Sequence, residues 1–197
     1  MEVEKLLDFL HLMEKMKCNT RHCDTSTGRR ESVAEHSWRL CMMAFLVRDA
    51  FLDLDMDRVL KMCLIHDIGE AVTGDIPAFD KNSVHESVES QAIDWLLSLL
   101  SGSVRQDMEA QFYEMEEQAT DEAKLYKILD RLEALIQHDE ADLSTWLPLE
   151  YELQFTYGKE ECQTFPYTAR LRKAVDEMTR RKIEEGKTAQ ERAEKMP

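Results

Sequence analysis

Apolar residues recur at spacings of three and four positions along most of the 197-residue chain, which is the period of an amphipathic α-helix. No segment alternates apolar and polar residues convincingly enough to indicate a β-strand, and we find no internal repeat. The predicted helices cover residues 2–17, 32–51, 55–74, 83–100, 104–118 and 121–141, with a last one from 166 onward. The sequence therefore predicts one all-α domain of about six to seven helices.

Local signals predict two helix starts and one helix end. Ser32 and Glu35 form a Ser-x-x-Glu capping box, and Asp55 is a good N-cap for the third helix. Gly74 is suited to end that helix, and Pro77 prevents its continuation. The run after Ser32 is apolar almost all round, so we expect its helix to be central in the core.

Composition excludes several classes of protein. Only 4 prolines and 6 glycines are present, which argues against a turn-rich β-sandwich or barrel. No apolar run reaches the roughly 18 residues of a membrane-spanning helix, and the first residues lack the features of a signal peptide. The excess of 40 acidic over 25 basic residues argues against binding a nucleic acid polymer.

The five cysteines and the charged C-terminal segment bear on location and domain bounds. An odd number of cysteines without a secretion signal indicates free thiols, so we expect a cytoplasmic protein. From residue 180 the chain is charged and has almost no large apolar residues. We therefore expect a single domain over residues 1–179 and a frayed or disordered tail over 180–197.

Two histidines fall on apolar helical faces and suggest a metal site. His36 shares a face with Leu40, and His66 shares one with Met62, with Asp67 next to it and Glu70 one turn later. A single histidine in such a place is usually a hydrogen-bonded core residue. Several polar groups buried without partners would each cost on the order of 2–7 kcal/mol, and a shared metal would satisfy them together.

Imidazole and carboxylate ligands suit a divalent ion such as Mn, Co, Fe, Ni or Zn, and the sequence does not choose among these metals. The residues themselves leave two non-enzymatic interpretations open. One is a helical binding module that holds a structural metal, and the other is a metal-free helical scaffold.

Three stretches of the chain carry a family resemblance: residues 31–37 (Glu-Ser-Val-Ala-Glu-His-Ser), residues 66–77 (His-Asp-Ile-Gly-Glu-Ala-Val-Thr-Gly-Asp-Ile-Pro) and residues 123–130 (Ala-Lys-Leu-Tyr-Lys-Ile-Leu-Asp). With them the chain resembles the HD-domain metal-dependent phosphohydrolases, in particular their 5′-deoxynucleotidase-like branch. The resemblance covers about residues 1–170. It implies a globular helical HD-domain fold and a homodimer.

The resemblance also implies roles for particular side chains. The ligands of a single divalent metal would be His36, His66, Asp67 and Asp130. Glu70 would position or deprotonate the attacking water, and Asp75 would be a second polar group at the site, near the sugar or the water. Arg21 corresponds to an arginine that contacts the phosphate or sugar of the nucleotide.

The implied activity is hydrolysis of nucleoside or deoxynucleoside 5′-monophosphates, with a small phosphorylated substrate as the partner. His22 stands where members of this branch often have tryptophan after the arginine, so the preference for a deoxy sugar stays open.

Asp130 lies opposite the apolar stripe of its helix, which would also suit a solvated acid. The alternatives are an HD hydrolase of a triphosphate or guanosine alarmone, and a non-catalytic metal-binding module.

Overall fold

The computed structural model describes the backbone of residues 2–194 and the side chains of residues 2–188. Its helices are α1 (Val3–Met13), α2 (Val33–Val47), α3 (Met56–Ile65), α4 (Glu70–Thr73), α5 (Ser83–Ser98), α6 (Gly102–Glu117), α7 (Asp121–Glu140), α8 (Glu150–Thr156) and α9 (Pro166–Glu194). Short 3₁₀ turns follow α1 and α2 and flank α8. The predicted all-α class is confirmed. No helix in the described range has both the length and the apolar character needed to cross a bilayer.

A small hairpin occupies the segment before α2, which lies outside all of the predicted helices. Strands β1 (Thr20–Asp24) and β2 (Arg30–Ser32) pair as a two-stranded sheet. The turn between them is closed by a hydrogen bond of 2.7 Å from the Thr25 amide to the Arg29 carbonyl, and Gly28 takes the left-handed φ of 80°. Strands this short leave almost no alternation to detect, so the pattern missed them.

The chain divides into two compact units. The first holds the residues up to His22 together with Arg30–Lys127, and the second holds Cys23–Arg29 and the residues from Ile128 onward. In the first unit α2 packs on α3, and α5 contacts α4 and α6. In the second, α8 and the flanking 3₁₀ turns pack on α9. The extent of α9 to Glu194 exceeds the boundary at 179 that we expected, and the single domain with a frayed tail stays a prediction.

The predicted helix starts are confirmed. The Ser32 hydroxyl accepts a hydrogen bond from the Glu35 amide at 3.3 Å, and the Glu35 carboxylate accepts one from the Ser32 amide at 2.9 Å. Asp55 accepts a hydrogen bond of 3.1 Å from the Arg58 amide at the start of α3. These bonds satisfy backbone donors that the first turn of each helix cannot pair internally.

We expect Ser32→Ala to lower the free energy of unfolding by about 1 kcal/mol, because the mutation removes the capping hydroxyl of α2. Urea unfolding measures the change. Ser101→Ala is the matched control, because Ser101 precedes α6 without making a side-chain cap bond. Equal losses in both variants would show that the capping box does not stabilise α2.

Helix α2 is covered on one side only, so the expectation that it would be central is wrong for its other face. His36, Leu40 and Ala44 are fully buried. Trp38 and Leu46, by contrast, are 64% and 71% exposed, and Met42 and Phe45 are also exposed. An apolar composition makes burial of a helix face favourable. Only the packing shows which face is buried within the chain.

Candidate metal centre

Two histidines and one aspartate meet in the first unit. His36 on α2 and His66 just after α3 have their Nε2 atoms 3.2 Å apart. The Asp67 Oδ2 atom lies 2.9 Å from His66 Nε2 and 3.8 Å from His36 Nε2. Both imidazoles are buried, and the Asp67 side chain is 17% exposed. One donor atom from each residue lies within 4.8 Å of the others, so the three could bind one ion.

The backbone around His66 fixes the orientation of its ring. The Cys63 carbonyl, which can only accept, lies 3.0 Å from His66 Nδ1, so Nδ1 carries the proton and donates it. In the neutral ring the lone pair then belongs to Nε2, which points towards His36 and Asp67. A hydrogen bond from the second nitrogen to a carbonyl is the usual support of a metal-binding histidine.

The helix that we predicted over 55–74 is interrupted at this point. Helix α3 ends at Ile65, and the amides of Ile68 and Glu70 bond three residues back, to Ile65 and Asp67. These tighter turns separate α3 from the one-turn helix α4. The break allows Asp67 to reach both imidazoles. Our prediction of a continuous helix over 55–74 did not include it.

Glu70 begins α4 and is almost fully buried, with 4% exposure. Its Oε2 atom has no hydrogen-bond partner. Burial, aided by the charges of Asp67 and Asp75, raises the pKa of Glu70 to about 9, against an opposing effect of Lys81. A buried carboxylate oxygen without a partner is costly for the fold, and it marks a position where a proton or a ligand can be received.

This raised pKa predicts how the stability of the metal-depleted protein depends on pH. Between the ordinary value of 4.5 and about 9, the folded protein keeps the proton on Glu70 and the unfolded chain releases it. The stabilisation is complete below 4.5 and is lost as the pH rises towards 9. We expect the free energy of unfolding to fall from about pH 6.5 to about pH 8.5, above the window in which Asp139 titrates, whose pKa burial raises to about 6.

Urea unfolding of wild type and Glu70→Gln at both pH values measures this effect. The amide cannot ionise, so the variant should lose less stability over the same interval. Parallel pH dependences in the two proteins would contradict the assignment of the effect to Glu70.

Arg21 and Asp75 are close enough to interact electrostatically. Burial raises the pKa of Asp75 above its usual range, and the Arg21 guanidinium opposes that rise. Arg21 lies on β1, and its Nη1 atom donates a hydrogen bond of 2.9 Å to the Glu31 carboxylate. Next to it, His22 packs edge-on against Phe79, with ring centroids 5.5 Å apart.

Asp130 lies on α7, is half-buried and belongs to the second unit. Its role as the fourth metal ligand stays a prediction, as do the roles of Glu70, Asp75 and Arg21.

Sequence reasoning missed two residues next to Glu70. Lys81 donates from Nζ to Glu89 Oε2 over 2.8 Å, and Glu89 on α5 has a carboxylate oxygen within 4.8 Å of Glu70 and Asp67. One signal could have revealed Glu89. It lies on the face of α5 that carries the buried residues Ala92 and Leu96, three and seven positions later.

The fold and the site together define a class: a helical protein with a candidate metal centre made of two buried imidazoles and a carboxylate. The family model described as HD domain matches residues 13–190, and the chain belongs to the HD-domain family.

Two relatives of the chain carry the same name. The chain is 32% identical over 142 residues to 5′-deoxynucleotidase HDDC2 of Danio rerio, covering 70% of each protein. It is 33% identical over 140 residues to the human 5′-deoxynucleotidase HDDC2, covering 68% of this chain and 67% of that protein. A crystal structure of a predicted metal-dependent phosphohydrolase from Magnetospirillum magnetotacticum MS-1 superimposes with a TM-score of 0.77 at 27% identity, covering 93% of this chain and 96% of that one.

The donors in the first unit fit a divalent cation. The His66 ring presents a lone pair at Nε2, close to a second imidazole nitrogen and a carboxylate oxygen. Mixed nitrogen and oxygen ligands of this kind suit Mn, Fe, Co, Ni or Zn.

Proposed function

We propose that the chain is a divalent-metal-dependent phosphomonoesterase. The observation that carries the proposal is the convergence of His36, His66 and Asp67, with the buried and partnerless Glu70 carboxylate oxygen beside Asp67. A purely structural metal site would gain nothing from a carboxylate held at a high energetic cost next to its ligands.

We propose nucleoside or deoxynucleoside 5′-monophosphates as the substrates. Two relatives are named 5′-deoxynucleotidases, and each shares about a third of its aligned residues with this chain. The net charge of −15 repels a nucleotide, so the metal and Arg21 must supply positive charge locally. The guanidinium of Arg21 can hold a phosphate by charge-assisted hydrogen bonds.

A bound metal would supply Lewis-acid chemistry, polarising a phosphate oxygen and lowering the pKa of a water. His36, His66 and Asp67 would hold it, with Asp130 as the fourth ligand that the family resemblance implies. The charge of a cation bound beside Asp67 would favour the ionised form of Glu70. Glu70 then accepts the proton of the attacking water at the carboxylate oxygen that has no hydrogen-bond partner. Asp75 contacts the water or the sugar. Its carboxylate also offsets the positive charge of the Arg21 guanidinium when no substrate is bound.

A substrate panel tests the proposal. The purified chain, with its metal content measured, is assayed with Mn, Co, Mg or a chelator on ribo- and deoxynucleoside monophosphates, nucleoside triphosphates and guanosine alarmones. We expect inorganic phosphate from the monophosphates only, and only with metal. Pyrophosphate or triphosphate release would assign the chain to another HD hydrolase, and no metal-dependent release would leave a non-catalytic module.

The same panel decides the sugar preference. His22 follows Arg21 on β1 and forms a ring pair with Phe79, which we propose contacts the nucleoside rather than the phosphate. Comparison of KM for ribo- and deoxynucleotides in wild type and in His22→Trp measures their influence.

We further propose a cytoplasmic homodimer. All five cysteines are free thiols, as a reducing compartment favours. Trp38, Met42 and Phe45 form one stripe on α2, and they remain exposed together with Leu46. Exposed apolar stripes of this kind are typical of protein interfaces.

Leu46→Glu should convert the dimer to a monomer at micromolar concentration, because each copy would bury a charge in the interface. Light scattering after size exclusion measures the mass. Leu52→Glu is the control, since Leu52 is 85% exposed and lies after the helix. A monomeric wild type, or a Leu46→Glu variant with the mass of a dimer, would contradict the proposal.

A further inference from the structure

Glu31 is an acid that the proposed mechanism does not use, and it is almost completely buried. It lies on β2, is 2% exposed, and accepts a hydrogen bond of 2.9 Å from Arg21 Nη1 on β1. The pairing of the two strands brings these side chains together. The Arg21 side chain is itself only 16% exposed, so the ion pair forms largely away from water.

The same carboxylate lies next to the candidate metal centre. Ser32 follows Glu31 and caps α2, so His36 lies in the helix that begins directly after this pair of residues. A carboxylate oxygen of Glu31 lies within 4.8 Å of a ring nitrogen of His36. One carboxylate group therefore lies between the Arg21 guanidinium and a proposed metal ligand.

Asp75 gives a second indication of where Arg21 lies. Burial raises the pKa of Asp75, and the charges of Arg21 and His36 both oppose that rise. The guanidinium and the imidazole thus lie near one carboxylate as well as sharing Glu31. Arg21 is held at the edge of the metal centre, where a phosphate bound to the metal could reach it.

Stability alone is a weak reason to bury Glu31, because the cost of removing two charges from water can exceed their attraction. Phosphate binding is a stronger reason. A guanidinium has five N–H donors, and one hydrogen bond to Glu31 uses only part of that capacity. A side chain already held in its bound orientation also loses less conformational freedom when the ligand arrives.

We propose that Glu31 is a positioning residue for substrate binding, which holds the Arg21 guanidinium beside the metal centre in the orientation that receives the phosphate group. The kinetic part of this proposal rests on the proposed phosphomonoesterase function. Because Glu31 acts through Arg21, its loss should weaken binding of the phosphate group and leave the chemical step nearly unchanged.

Steady-state kinetics on a nucleoside monophosphate, at saturating metal, test the kinetic part. Glu31→Ala should raise KM about tenfold or more at nearly constant kcat, because a charge-assisted contact loses its fixed geometry. Glu31→Gln should restore most of the wild-type KM, since its amide oxygen still accepts a hydrogen bond from Arg21. Glu31→Asp keeps the charge on a shorter side chain, should give an intermediate KM, and serves if the alanine variant does not fold.

A double-mutant cycle shows whether Glu31 acts through Arg21. Arg21→Ala alone should raise KM at least as much as Glu31→Ala. Adding Glu31→Ala to Arg21→Ala should cause no further rise, because the group that Glu31 holds is already absent. Glu114→Ala is the matched control, since Glu114 is 6% exposed and also pairs with an arginine, Arg58. It should lower the thermal stability and leave KM unchanged.

Calorimetry of inorganic phosphate binding to the metal-loaded chain is a readout that does not depend on turnover. Glu31→Ala should raise the Kd of phosphate about tenfold or more, and Glu31→Gln should restore it. The metal content of both variants, measured on the same samples, should match that of wild type.

An unchanged KM in Glu31→Ala, or additive effects of the two mutations in the cycle, would overturn the positioning role. A raised KM that returns to the wild-type value when more metal is added would also overturn it, because Glu31 would then act through His36. Weaker phosphate binding in Glu31→Ala, in a chain that releases no phosphate from any monophosphate, would refute the phosphomonoesterase function and leave the positioning of Arg21 supported.

Discussion

Glu70→Gln is expected to lower kcat for phosphate release by about 10²–10⁴-fold, the usual contribution of a positioned general base. The amide keeps the size of the side chain but cannot accept the proton of the attacking water. Glu70 is not among the proposed ligands of the metal, so the bound metal content should match that of wild type. Steady-state kinetics and elemental analysis of the same preparation measure the two quantities.

Glu86→Gln is the control for loss of one carboxylate, since Glu86 is exposed on α5. It should retain wild-type kcat and KM. Full turnover in Glu70→Gln would remove Glu70 from the mechanism. Loss of the metal together with the activity would instead make Glu70 a ligand of the metal.

His66→Ala is expected to abolish both metal binding and activity. The mutation removes the imidazole whose Nε2 atom lies 3.2 Å from the second histidine and 2.9 Å from the Asp67 carboxylate. It leaves two of the three donors in the first unit, and loss of one ligand is enough to weaken a site of this size severely. Activity should fall below detection at metal concentrations that saturate wild type.

Thermal unfolding provides a measurement that does not depend on activity. A metal that binds only the folded chain stabilises it by about 2.7 kcal/mol at a concentration of 100 times Kd, so chelator should lower Tm in wild type. In His66→Ala, Tm should no longer respond to metal or chelator. His11→Ala, at an exposed position of α1, should respond like wild type. A His66→Ala protein that still binds one equivalent would contradict the proposed centre.

The sequence predicted those parts of the fold that depend on neighbouring residues. The helical period and the capping signals at Ser32 and Asp55 are local, and both are confirmed. The short strands of the hairpin and the break between α3 and α4 were missed. Strands of three to five residues show little alternation, and a switch to tighter backbone turns leaves the apolar pattern unchanged.

The residue types of the candidate metal centre could also be predicted from the sequence. His36 and His66 lie on apolar faces, and Asp67 follows directly, so a shared metal was predicted as their common partner. Glu89 and Lys81 were not found, because their importance arises from the packing of α5 against Gly69. Contacts between elements distant in the chain leave only a weak signal, here an acid on the buried face of a helix.

The sequence by itself determined the helical class, the helix starts and the set of imidazoles and carboxylates, since each follows from periodicity or from chemistry at short spacing. Only the tertiary structure decided which face of α2 is covered, how the turn after α3 presents Asp67 to both imidazoles, and which carboxylates surround Glu70. These depend on how closely separate helices approach, which is set by the side chains at each contact. At Gly69 a Cβ atom would lie 3.0 Å from Ile93 Cγ1, so the absence of a side chain there leaves room for α5.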